Sequence, residues 1–185
     1  MAFADDLLEL AQDLADLYPE NPRQANLRRA MSTAYYAIFH LLISETTLNW
    51  NRVELRAQLG RVFEHGKMKS ASETKVSDLN AYFKTKPAES PEHSILANLL
   101  IVCNAFIQAQ QRRNDADYNT GKECTPTEVE IQIREVTQAF NSWSIIRDDP
   151  SAQAYLVSLF GNSERCEKKA PITISGFGKL REPNS

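Results

Sequence analysis

An all-α fold is predicted by three observations. Apolar residues recur at three- and four-residue spacing over most of the first 160 positions. Only 6 glycines occur, and Gly176 and Gly178 fall at the very end, so few tight turns interrupt the chain. Helix-start signals, a capping residue followed by proline, stand at Asn21-Pro22 and Thr125-Pro126. The competing strand pattern is confined to a weak Ile172-Thr173-Ile174. The expectation is an antiparallel bundle of about five helices.

Leu7, Leu8, Leu10, Ala11, Leu14, Ala15 and Leu17 make one apolar face, which predicts a first helix from Phe3 to Leu17. Tyr18-Pro19-Glu20-Asn21-Pro22 ends it. The second helix is expected from about Pro22 to Glu45, with Asn21 as N-cap. Ala30, Ala34, Ala37 and Leu41 form a stripe, flanked by Leu27, Met31, Tyr35, Ile38 and Leu42. So wide an apolar surface predicts a central helix with more than one neighbour.

Asn49-Trp50-Asn51 is a break. Arg52 to Phe63 resumes helical spacing through Val53, Leu55, Leu59 and Val62, with Gly66 as a C-cap. Lys84 to Ser90 is a polar loop. A long helix then runs from near Pro91 to about Asp115 through Ile95, Leu96, Leu99, Leu100, Cys103, Phe106, Ile107 and Ala109. It should pack against the second helix. After a loop at Asn119 to Cys124, Thr125 caps a helix carrying Val129, Ile133, Val136, Ala139, Phe140 and Trp143. That helix ends near Arg147 to Pro150, and a short one from about Ser151 to Phe160 follows. From Gly161 the composition turns to Ser, Lys, Pro and Gly. The division expected is a helical domain, 1–160, and a flexible tail, 161–185.

Hydrophobic residues at 42% and charged residues at 24% place the chain among ordinary soluble globular proteins. A net charge of -3 supplies no global attraction for nucleic acid, so RNA would need a local basic patch. No uninterrupted apolar run approaches the ~20 residues of a membrane span, and no membrane association is expected. Met1 to Asp6 lacks the basic region of a secretory signal. Cys103, Cys124 and Cys166 are odd in number and far apart, without CxxC or Cys/His clusters. No metal, cofactor or disulfide framework is expected, and the expected location is cytoplasmic.

Two segments concentrate the chemistry. One is Arg28-Arg29-Ala30-Met31-Ser32-Thr33-Ala34-Tyr35-Tyr36-Ala37, an amphipathic helix with arginines and paired tyrosines. The other is Gln110-Gln111-Arg112-Arg113-Asn114-Asp115-Ala116-Asp117-Tyr118, loaded with guanidinium, carboxylate and phenol groups. With Phe63 to Lys69 and the Ala139-Phe140-x2-Trp143 helix, they resemble the HEPN superfamily of small helical domains over roughly residues 5 to 160. The likeness is to a bacterial branch in which Ala-Asp-Tyr stands where active relatives carry a histidine.

The resemblance implies several things. Active HEPN ribonucleases use an Arg followed after four to six residues by His, and two copies meet across a dimer seam. Arg113 matches the motif arginine and Asn114 the polar position after it. The histidine is missing: Asp117, Tyr118 and Asn119 occupy the places where it belongs, and no histidine follows His93. The candidate catalytic set is therefore Arg113, Asp117 and Tyr118. The candidate RNA- or nucleotide-binding set is Arg28, Arg29, His65, Arg112 and Asn114. The expected partners are a second copy of the chain, RNA or a nucleotide, and an antitoxin or other protein, in a toxin-antitoxin or phage-defence setting.

Chemistry limits the activity to be expected. An unperturbed aspartate, pKa ~3.9, and tyrosine, pKa ~10, are both poor bases at neutral pH. A bland reading is open too: Arg113 and Asp117, at i and i+4, can pair as a brace while Tyr118 packs its ring inside. Arg28 and Arg29 can be solvated cations or partners of carboxylates. His65 could replace the missing base only if the fold carries it beside Arg113. Three outcomes stand: a binding module with weak or no ribonuclease activity, a protein-interaction module, or a noncanonical metal-independent endoribonuclease.

Overall fold

The computed structural model describes residues 3–85 and 90–160. The described residues are all-α: α1 (Phe3–Asp16), α2 (Gln24–Leu48), a 3-10 turn (Val53–Leu55), α3 (Arg56–Leu59), α4 (His65–Thr85), α5 (Pro91–Tyr118), α6 (Pro126–Ile146) and α7 (Pro150–Ser158). The Ile172-Thr173-Ile174 segment, Cys166 and the tail expected at 161–185 lie outside the described residues.

α2 is the axis of the bundle. It packs against α1, α5 and α6. Ala30, Ala34 and Ala37 are fully buried, and their small side chains let neighbouring helices approach. Leu27, Tyr35, Ile38 and Leu42 fill the remaining directions at 0–2% exposure. The wide apolar surface of α2 thus meets several neighbours within one chain, as its stripe predicts. α5 lies between α2, α4 and α6. An 18-residue window in it reaches a mean hydropathy of 1.2, enough to pass for a membrane span by length and composition. Leu96, Leu99, Val102, Cys103 and Phe106 account for that apolarity by being buried in the core.

The caps follow local chemistry. Ser90 accepts the His93 N–H, with Pro91 at the first position of α5. Thr125 and Glu128 form a reciprocal capping box at α6, and Asp149 accepts the Ser151 N–H at α7. Hydrogen bonds from Thr125 hold the Glu128 carboxyl below the usual range.

Several boundaries differ from expectation. α2 begins at Gln24 with Arg23, not Asn21, as its N-cap. A tertiary tie fixes that end: Gln24 donates to the Cys124 carbonyl at 2.8 Å and accepts the Cys124 N–H at 2.9 Å. Tyr18 takes a positive φ of 59° in the connection. The helix expected over Arg52 to Phe63 shrinks to the 3-10 turn and the one-turn α3. Gly66 caps no C-terminus; it lies in the first turn of α4, a helix the apolar pattern did not announce. α5 continues through Tyr118, past the expected end at Asp115.

Candidate functional site

Consecutive residues on a helix point about 100° apart. Tyr35 therefore turns into the core, fully buried, while Tyr36 stays half-buried at its rim. Each hydroxyl meets one functional group. The Tyr36 hydroxyl accepts from Arg113 Nη2 at 2.8 Å. The Tyr35 hydroxyl lies 2.5 Å from His65 Nδ1. Two adjacent side chains of α2 thus carry an arginine from α5 and a histidine from α4 on one wall.

Arg113 is held from three sides. Nη1 donates to Asn114 Oδ1 at 3.1 Å. Nε lies 2.8 Å from Asp117 Oδ2, but its N–H is not aimed along that line, so this is an ion pair without an aligned hydrogen bond. Ser32 donates to the same Asp117 oxygen at 3.3 Å. The guanidinium carbon stands 5.5–5.7 Å from the rings of Tyr35, Tyr36 and Tyr118, within cation–π range. Burial works against the charge; the Tyr36 hydroxyl and Asp117 outweigh it and keep the guanidinium above its ordinary value. An arginine fork carries five N–H donors. One on each Nη is committed here, so one on each remains.

His65 is the first residue of α4. Gln110 grips its backbone by donating to the His65 carbonyl at 3.1 Å. Phe39 stacks on its ring at 4.2 Å between centroids. Burial, with smaller contributions from the Arg113 charge and His40, pushes its pKa below the ordinary histidine range. That direction favours the neutral imidazole, and the fold does carry His65 into the neighbourhood of Arg113.

The other candidates divide. Arg28 donates to the Ala116 carbonyl at 2.7 Å, to the Asn119 carbonyl at 3.1 and 3.2 Å, and to the Lys122 carbonyl. Both of its terminal nitrogens are engaged in clamping the end of α5. Arg29 is exposed. Arg112 pairs with Glu135 of α6 at 2.6 Å, on the α5–α6 side. Asn114 joins the cluster only as the acceptor for Arg113. Tyr118 does not pack inside: it is 72% exposed, its ring set beside Arg113. Lys67 pairs with Glu64 at 2.6 Å, and Lys69 with Glu73 at 3.7 Å. His40, half-buried, packs edge-on against Phe3 and Phe39. His93, in the first turn of α5, is partly buried, its ring edge-on to Phe83 at 4.6 Å. No group of three or more His, Cys, Asp or Glu that could hold a metal ion occurs among the described residues.

Sequence reasoning passed over the roles of Tyr35, Tyr36 and Ser32. The available signal was the Ser-x2-Tyr-Tyr spacing on α2, which sets the hydroxyl of Ser32 one turn from those of two adjacent tyrosines. No family model, no curated protein and no solved structure matches this chain.

Proposed function

We propose that the chain is a HEPN-like module that binds RNA or a nucleotide through phosphate at the Arg113 cluster, with weak or no ribonuclease activity. The observation that carries this reading is the joint mounting of Arg113 and His65 on Tyr36 and Tyr35. It sets a fork with unused N–H donors beside an imidazole, and both types of group bind phosphate oxygens. Cleavage is disfavoured because an aspartate is a poor base at neutral pH, and Asp117 Oδ2 already faces Arg113 and Ser32. Pairing of two copies, and an antitoxin or defence setting, rest on the HEPN resemblance alone.

A second reading is favoured by a specific observation. The Arg113–Asp117 ion pair makes the cluster nearly neutral, as in a module whose arginine only holds helices together while a protein partner carries the function. Fluorescence anisotropy with labelled single-stranded RNA at low salt separates the two, with product gels on the same samples. The expected result is binding without cleavage by the wild type, and a loss of about tenfold or more in Arg113→Ala at matched helicity. Absence of binding by the folded wild type sinks the first reading and leaves the second. Cleavage abolished by Arg113→Ala would instead establish a ribonuclease without the motif histidine.

A further inference from the structure

The proposed phosphate site has a second group whose hydrogen-bonding role the surroundings fix. Tyr35 is fully buried, and His65 Nδ1 is the partner of its hydroxyl among the described residues. A phenol has one proton to donate, and a buried donor without an acceptor costs about 1–3 kcal/mol. Burial also raises the Tyr35 hydroxyl far above its ordinary pKa, so the proton stays on it. If the imidazole donated from Nδ1, that phenolic proton would be stranded in the core. The satisfied arrangement has the phenol donating to Nδ1. In a neutral imidazole the remaining proton is then on Nε2. Nε2 has no protein partner among the described residues, and His65 itself is only partly buried.

Resting on the phosphate-binding reading, we propose that Tyr35 is a positioning residue that holds His65 as a neutral Nε2–H donor, and that the pair with Arg113 recognises the singly charged phosphodiester of an RNA backbone. Two consequences follow from charge and valence. An Nε2 that already carries a proton cannot take one from a ribose 2′-hydroxyl, so His65 does not replace the missing base. A site with one arginine offset by Asp117 and a neutral imidazole suits a monoanion better than the dianion of a terminal phosphate. The charged and titratable groups facing His65 are few: Tyr35, Tyr36 and His40 from α2, and Arg113 from α5.

The test joins a ligand-free measurement to a binding series on the full chain. Long-range proton–nitrogen correlation of the histidine rings at pH 7 should show a bare Nδ1 and a protonated Nε2 for His65, assigned with His65→Gln. Tyr35→Phe should mix the tautomers. With fluorescein-labelled oligouridylate lacking terminal phosphates as probe, His65→Ala should weaken binding about tenfold and Tyr35→Phe about threefold, while His65→Gln, which keeps an N–H donor, should stay within about threefold. Adenosine 5′-monophosphate should compete poorly. A protonated Nδ1 overturns the tautomer assignment whether or not RNA binds. Binding lost in Arg113→Ala but kept in His65→Ala overturns the role of His65 alone. Strong competition by the monophosphate overturns the diester preference. No binding by the wild type overturns the ligand role together with the phosphate-binding reading.

Discussion

Arg28 and Arg113 lie on facing helices, α2 and α5, and meet opposite kinds of partner. Every partner of Arg28 is a backbone carbonyl: Ala116, Asn119 and Lys122. Ala116 is in the last turn of α5, where carbonyls have no helical N–H to accept from and carry the negative end of the helix dipole. Arg113 meets only side chains: Tyr36, Asn114 and Asp117. Backbone carbonyls cannot swing away without unravelling a helix end, whereas side chains can rotate to admit a ligand. The two arginines differ in what they hold: the first ties down the end of a helix, and the second keeps an N–H on each terminal nitrogen without a partner among the described residues.

That contrast can be broken at several points. The largest expected effect is on stability: Arg28→Ala removes charge-assisted hydrogen bonds to three carbonyls, of which that of Asn119 also accepts the Lys122 N–H, and should cost about 3 kcal/mol in urea unfolding. It should leave RNA affinity unchanged among folded molecules. Arg113→Ala should show the inverse pattern, with about 1–2 kcal/mol of lost stability and the tenfold loss of binding. Equal effects of the two variants on both readouts would erase the distinction.

A pH series sharpens it further. His65 and His40 both have pKa values lowered in the folded state, chiefly by burial. The unfolded chain then binds more protons than the folded one below pH ~6.5, so stability present above that value falls as pH drops toward the folded values. His65→Gln should flatten part of this decline in thermal melts, and Arg28→Ala should leave its shape unaltered. The smallest effect belongs to the exposed Lys122–Asp115 pair at 3.1 Å. Lys122→Ala should cost about 0.5 kcal/mol or less, since Arg28 uses only the carbonyl of that residue.

The fold was legible where local chemistry decides it. Thr125-Pro126 with Glu128 announces α6 because all the groups of the capping box lie within one turn. The stripe of α2 announces a central helix because its alanines leave room on several sides. α4 was not legible. Its buried face includes Met68, Leu79 and Ser72, whose hydroxyl donates to the Met68 carbonyl one turn back and meets the Tyr155 hydroxyl at 2.8 Å, 83 positions away. A polar residue made apolar in effect by a distant partner escapes a periodicity argument.

The site divides in the same way. The Arg113–Asp117 pair follows from i, i+4 spacing alone. Tyr35 with His65 and Arg28 with Ala116 span 30 and 88 positions, and only the packing of α2 and α4 against α5 creates them. The exposure of Tyr118 was unpredictable for a related reason: α5 runs three residues past its expected end, and while Ala116 of that last turn is buried in the core, Tyr118 stays outside it.

The most direct test of the account is a titration of the isotopically labelled chain with single-stranded RNA, followed residue by residue through backbone and arginine side-chain resonances. The account predicts shifts at Tyr36, His65, Arg113 and Asp117, with the Arg28 side chain and the Gln24–Cys124 tie unmoved. Shifts at the Arg28 clamp with none at Arg113, or none anywhere at saturating RNA, would contradict it.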